Sequence, residues 1–273
     1  MGGGPIGVFD SGVGGLTVLR ALRAALPADD FVYLGDTARL PYGTKSPESV
    51  VRYSLQCADA LVRRGIRCLV VACNTASASA LGTLRLRYPS IPVIGVIEPG
   101  AAAAVAASKS GHIAVIGTEG TVAGGAYQTE ISRLRAECRV SSRACSLFVS
   151  LAEEGWTEGR IVEAVARRYL EPLFAPGAES ADTLVLGCTH FPVLAGAIRR
   201  VLPSEVAIVD SAASTAAAVL GQMRLQSQPT ASGRPARGSV KWFATDGAAR
   251  FARVGATFLG EALSPDEIEI IDL

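Results

Sequence analysis

Residues Leu69-Val70-Val71-Ala72-Cys73-Asn74-Thr75 and Leu184-Val185-Leu186-Gly187-Cys188-Thr189-His190 decide how this chain is read. Each is an apolar run that ends in a small residue, a cysteine and two polar residues able to cap a following helix. Uninterrupted apolar runs of this length suit strands buried on both faces, the condition of a parallel sheet covered by helices. Working outward from them, short apolar runs at 6–9, 31–34, 68–72, 93–97, 112–116, 139–144, 183–186, 207–209 and 240–244 alternate with helical periodicity. The segment 47–64 puts Val51, Leu55, Ala58 and Val62 on one face, opens with Ser46-Pro47 and stops at Gly65. Segments 157–174 and 191–201 read as helices in the same way. Such alternation predicts the doubly wound α/β class. The two matching junctions point to two related halves, although no full repeat is readable. The stretch 226–239, rich in Gln, Ser, Pro, Gly and Arg, reads as an exposed loop before the last strand and helix.

At 273 residues the chain has room for one large or two modest α/β domains. With 49% hydrophobic and 19% charged residues, a folded and well-buried protein is expected. The formal net charge of +1 gives no reason to expect nucleic acid or an anionic membrane as the main partner. No membrane helix is readable, because Glu98-Pro99-Gly100 breaks the richest apolar stretch. The opening Met-Gly-Gly-Gly-Pro lacks a basic leader, and Ile6 stands where myristoylation wants Ser or Thr, so the cytoplasm is expected. The six cysteines, at 57, 68, 73, 138, 145 and 188, show neither CxxC spacing nor paired histidines. That pattern excludes a zinc site and a small disulfide scaffold. Cys57, Cys68, Cys138 and Cys145 read as packed hydrophobes.

In open α/β sheets ligands bind beyond the carboxyl ends of the strands. Polar residues cluster there at Asp10-Ser11-Gly12, Gly35-Asp36-Thr37, Cys73-Asn74-Thr75, Cys188-Thr189-His190 and Gly117-Thr118-Glu119-Gly120-Thr121. Gly12-Val13-Gly14-Gly15 fails the dinucleotide fingerprint, since Thr17 replaces its third glycine, and it lacks the Lys-Ser/Thr of a P-loop. It reads better as a tight turn whose N–H groups open a helix and can meet a carboxylate, with close packing as the rival explanation for Gly14 and Gly15. Cys73 and Cys188 each precede a helix, whose N-terminus is expected to favour the thiolate. Two thiols in matching contexts suit a reaction that takes a proton from one face of a carbon and returns it to the other. A single nucleophilic cysteine, Cys188 with His190, is the alternative from another class, and it leaves Cys73 without a role. Pyridoxal-phosphate chemistry needs a Schiff-base lysine. Lys45, Lys109 and Lys241 are the lysines of the chain, and none has a phosphate-cradling context, so no cofactor and no metal is expected.

Taken together, Ile6-Gly-Val-Phe-Asp10-Ser11-Gly-Val-Gly-Gly-Leu-Thr17, Tyr33-Leu-Gly-Asp36-Thr37, Pro41-Tyr42-Gly43, Ala72-Cys73-Asn74-Thr75-Ala76, Val115-Ile-Gly-Thr118, Leu186-Gly187-Cys188-Thr189-His190-Phe191-Pro192 and Val209-Asp210-Ser211 resemble the bacterial glutamate racemase family over nearly the whole chain. The resemblance implies two Rossmann-like parallel-sheet domains of related topology with the active site between them, the first from 1–97 plus 211–273 and the second from 98–210. It implies cofactor-independent racemisation of glutamate, supplying D-glutamate for peptidoglycan, in a homodimer. By the same resemblance Cys73 and Cys188 are the acid/base pair, assisted by Asp10 and His190. Glu153 is a further candidate beside His190, against a plain surface role for Glu153-Glu154-Gly155. Asp10, Ser11, Asn74, Thr75, Thr189 and His190 are implied to hold the amino and α-carboxylate groups. Pro41, Tyr42 and Gly43 are implied to receive the side-chain carboxylate, with Thr118 and Thr121 also lining the site. One departure is Ser146, where family members often show proline. Aspartate racemisation is the nearest alternative substrate. A regulatory role such as gyrase inhibition often accompanies an N-terminal extension, and only five residues precede the first strand here.

Overall fold

The computed structural model describes residues 3–174, 180–226 and 237–273. Ten strands are found among the described residues: β1 (Ile6–Asp10), β2 (Phe31–Gly35), β3 (Cys68–Val71), β4 (Val93–Gly95), β5 (His112–Gly117), β6 (Arg139–Ala144), β7 (Thr183–Gly187), β8 (Ala207–Asp210), β9 (Val240–Ala244) and β10 (Ile268–Ile270). They build two sheets, ordered β10-β9-β2-β1-β3-β4 and β6-β5-β7-β8, in which every pairing is parallel. The chain is therefore a two-domain α/β protein of the expected class. Every residue of β1, β2, β3, β5 and β7 is buried, as their unbroken apolar runs require. The serine- and arginine-bearing β6 is an edge strand and partly exposed.

Local chemistry sets the helix ends. Helix Pro47–Val62 starts where Ser46 accepts the N–H of Ser49 and Pro47 occupies a first-turn position that needs no N–H. The chain then turns at Gly65, whose φ of +73° suits glycine. The strand expected over 93–97 ends at Gly95, and Ile97 opens helix Ile97–Ala107. Pro99 is tolerated there because it falls in the first turn, where N–H groups have no helical acceptor. The helix expected from residue 157 begins at Arg160, after Gly159 at φ +96°. The one expected from residue 191 opens as the 3-10 turn Phe191–Leu194 before the α-helix Ala195–Val201. Of the linker-like stretch 226–239, residues 227–236 lie outside the described residues.

Helix Ser211–Gln226 packs against both Leu16–Ala25, beside the first sheet, and Ile97–Ala107, beside the second. The carboxyl ends of β1 and β3 consequently meet those of β5 and β7. No helix among the described residues is long and apolar enough to cross a membrane.

Candidate active site

At the end of β3, Cys73 caps helix Asn74–Arg87, its sulfur accepting the N–H of Ala76 at 3.5 Å. Its Sγ lies 3.8 Å from Ser11 Oγ, at the end of β1. The cap geometry matches the expectation, but its electrostatic consequence does not. Burial, then the neighbouring Asp10 carboxylate, push the Cys73 thiol up to about 12 against the Ala76 N–H. Asp10 itself is fully buried, and that burial raises its pKa despite His190 and the N–H groups of Gly15, Gly12 and Ser11. A helix N-terminus thus fails to make Cys73 acidic, because desolvation of the thiolate is the larger effect.

Cys188 follows β7 without a sulfur cap, since the first helical segment after it is the 3-10 turn. Its Sγ instead faces His190 Nδ1 at 3.8 Å. His190 Nε2 lies 3.1 Å from Glu153 Oε1, and Arg250 Nη2 donates to Glu153 Oε2 at 3.0 Å. Burial opposes a charge on His190, yet the bonds to Cys188 and Glu153, with the Asp10 carboxylate, push it up to about 10. Burial also works against the Glu153 carboxylate, but His190 and Arg250 hold it below its ordinary value. Its side chain is only 13% exposed, so the surface role considered for Glu153 does not hold, while Glu154 and Gly155 are exposed.

Hydroxyls and amides join the two thiol environments. Thr189 Oγ1 donates to Asp10 Oδ1 at 3.5 Å, and Thr17 Oγ1 reaches the Thr189 carbonyl at 3.2 Å. Across the cleft, the hydroxyls of Thr75, Thr118 and Thr121 form a triangle with sides of 2.9, 3.2 and 3.0 Å. Tyr127 donates to Asn74 Oδ1 at 2.8 Å, whereas the buried Asn74 Nδ2 has no hydrogen-bond partner. A buried donor left unpaired is costly, so this atom stands out among the polar groups of the cleft.

The glycine turn resolves differently from its sequence reading. The Gly12 N–H does meet a carboxylate, that of Asp10, at 2.9 Å. The N–H groups of Leu16 and Thr17 bond to the Val13 and Gly14 carbonyls. Gly14 and Gly15 serve close packing: a Cβ would stand 2.4 Å from Thr189 Oγ1 and 2.5 Å from Asp10 Cβ, respectively. Tyr42 is fully buried and its hydroxyl donates to Asp36, which also binds Arg39 and Thr245. The Tyr42 hydroxyl is therefore committed to the first domain, and the segment Pro41-Tyr42-Gly43 faces the cleft through Gly43, which abuts Thr118. Cys57, read as a packed hydrophobe, is buried as expected but sits 3.7 Å from that same hydroxyl.

A model of the Asp/Glu/hydantoin racemases matches residues 6–219. The chain belongs to this racemase family. It is 53% identical to a glutamate racemase of Geobacter metallireducens, over 94% of this chain and 93% of that one. The fold matches a Francisella tularensis glutamate racemase in complex with D-glutamate, at TM-score 0.89 and 33% identity, covering 100% and 98% of the two chains. It also matches Escherichia coli glutamate racemase in complex with L-glutamate and activator UDP-MurNAc-Ala, at TM-score 0.74 and 31% identity, covering 93% and 95%.

Within this racemase, contacts among the residues marked by the sequence join Cys73 to Ser11, Thr189 to Asp10, Cys188 through His190 to Glu153, and Thr75 to Thr118 and Thr121, while Asn74 bonds to Tyr127. Sequence reasoning missed Tyr127 and Arg250, whose contacts are made across the two halves and leave no local motif. All three lysines are exposed.

Proposed function

We propose that this chain interconverts L- and D-glutamate without a cofactor, with Cys73 and Cys188 exchanging the roles of base and acid. The observation that carries the proposal is the pair of buried cysteines, each at the end of an interior strand, in halves that meet through the Asp10–Thr189 and Thr75–Thr118 contacts. One thiol takes the α-proton and the other delivers a proton to the opposite face. Asp10 and Ser11 serve the Cys73 side, and His190 with Glu153 serves the Cys188 side. The imidazolium favoured at His190 is placed to balance a thiolate at Cys188. Asn74 Nδ2, Thr75 and Thr189 receive the amino and α-carboxylate groups, while Gly43, Thr118 and Thr121 receive the side-chain carboxylate. Glutamate in the solved complexes of the two relatives supports this substrate over aspartate.

The same reading includes domains of 1–97 plus 211–273 and 98–210, a homodimer, and supply of D-glutamate for peptidoglycan in the cytoplasm. Purified protein, dialysed against a chelator and hydroxylamine, should lose the circular-dichroism signal of added L-glutamate as racemate forms. Activity restored only by a metal or pyridoxal phosphate overturns the cofactor-free reading, and activity on aspartate alone overturns the substrate. Sedimentation equilibrium tests the dimer.

A further inference from the structure

Helix Ala248–Leu259 follows β9 of the first sheet, yet two of its side chains reach into the second half. Arg250 Nη2 donates to Glu153 Oε2 at 3.0 Å. About two turns further along, Phe258 meets the His190 ring edge-on, with centroids 5.1 Å apart. Glu153 and His190 are therefore gripped from outside by a single helix of the opposite domain. We infer that Arg250 is a positioning residue for the proton chemistry at Cys188, fixing the Glu153 carboxylate that orients His190. The inference rests on the two-thiol reading above.

The geometry makes the effect one-sided. Glu153 is faced by His190 and Arg250, and His190 by Cys188, Glu153 and Asp10. The sulfur of Cys73 has the hydroxyl of Ser11 and the N–H of Ala76, with the Asp10 carboxylate and Cys188 also acting on it, and Arg250 is not among these groups. The Arg250 side chain is 49% exposed and borders a cavity of about 260 Å³ that Asp246 also lines. An exposed ion pair adds little to stability, so the consequence of this one lies in where it holds Glu153. The charge also has a clear sense: the Arg250 cation favours the ionised form of Glu153, and its removal disfavours it. Arg250 and Glu153 come from the two halves of the chain, so the contact spans them.

The test uses the full chain with Arg250→Met, which keeps the stem, and Arg250→Lys, which keeps the charge. Alkylation rates of Cys73 and Cys188 by iodoacetamide are followed at fixed pH by peptide mass spectrometry, beside kcat and KM for both enantiomers. Arg250→Met should slow alkylation of Cys188 about threefold and leave that of Cys73 unchanged. It should lower kcat about tenfold with KM within about twofold. Arg250→Lys should restore the Cys188 rate and most of kcat. An unchanged Cys188 rate, or an equal change at both cysteines, overturns the inference even if the wild type racemises glutamate. A Cys188-specific change in Arg250→Met, when the wild type does not racemise glutamate, leaves the positioning role standing and overturns the two-thiol reading instead.

Discussion

Gly14 and His190 touch across the two domains: a Cβ on Gly14 would lie 2.5 Å from His190 Nδ1, the nitrogen that faces Cys188. No ordinary Cβ contact is so close, and Thr189 Oγ1 blocks the other side at 2.4 Å. Gly14→Ala must therefore displace the imidazole or hold the domains apart. Overpacking of this kind costs about 1–3 kcal/mol. Urea denaturation should register that loss, and kcat should fall by at least about tenfold as His190 leaves Cys188. A variant with wild-type kcat would mean that the domains absorb the methyl group without moving the relay.

The buried strands were legible because their runs are unbroken: 68–72 and 183–186 have nothing polar for a solvent-facing side. β10 was not, since Ile268-Glu269-Ile270 carries a charge and becomes a strand only by pairing with β9. Val96-Ile97 continued the apolar run of β4, and only the first-turn tolerance of Pro99 turned it into a helix. In the site, Cys73 and Cys188 announced themselves by matching local context. Burial then reversed the expected pKa direction of Cys73, an effect of everything packed round it and of no neighbour in sequence. Asp36 looked like a cleft residue by its strand-end position, yet its carboxylate holds Arg39, Tyr42 and Thr245 inside one domain. Tyr127, Arg250 and Phe258 make their contacts across the two halves, where no local sequence pattern records them.

Asp182 ties the turn before β5 to β7. Its carboxylate accepts from Ser108 Oγ at 2.7 Å, the N–H groups of Lys109 and Ser110 at 2.7 and 2.6 Å, and Thr183 Oγ1 at 2.9 Å. Burial opposes its charge, but these donors, led by the Ser110 N–H, lower its pKa to about 2. A depressed carboxylate contributes stability that is present above its unfolded pKa of about 4. That contribution is lost as pH falls through about 2. Asp182→Asn should therefore be destabilised by a nearly constant amount from pH 7 to about pH 4, with the difference closing below that. Urea midpoints of both proteins across this range check it, and a difference that persists undiminished at pH 2 would place the effect in packing.

His190 has the opposite linkage. Its folded-state pKa of about 10 lies above the unfolded value of about 6.5. Its contribution to stability is thus complete below about pH 6.5 and is lost as pH rises through about 10. The destabilisation of His190→Gln relative to wild type should be largest near pH 6 and shrink towards pH 10. Thermal or urea unfolding of the pair at several pH values measures it. A flat difference would show that the ring's pKa is unshifted by folding, and the charge balance proposed for Cys188 would fail with it.

The two-thiol proposal makes its strongest demand on stereochemistry. If Cys73 and Cys188 stand on opposite faces of the α-carbon, each is the base for one enantiomer and the acid for the other. In deuterated water, glutamate formed by inversion should carry solvent deuterium at the α-carbon, delivered by the thiol opposite the one that took the proton. Cys73→Ala and Cys188→Ala should each nearly abolish racemisation, because the return proton has no donor on its side. The two variants should nevertheless differ in which enantiomer they still deprotonate, read as α-proton exchange without inversion in the proton resonance spectrum. The unlike surroundings sharpen this expectation. Cys188 keeps His190 and Glu153 when Cys73 is gone, so Cys73→Ala should retain the faster residual exchange. A single-base enzyme forecasts something else: one cysteine is dispensable, and part of the original α-proton returns to the inverted product. Near-normal racemisation by either alanine variant would therefore end the two-thiol reading, and the family resemblance could not rescue it.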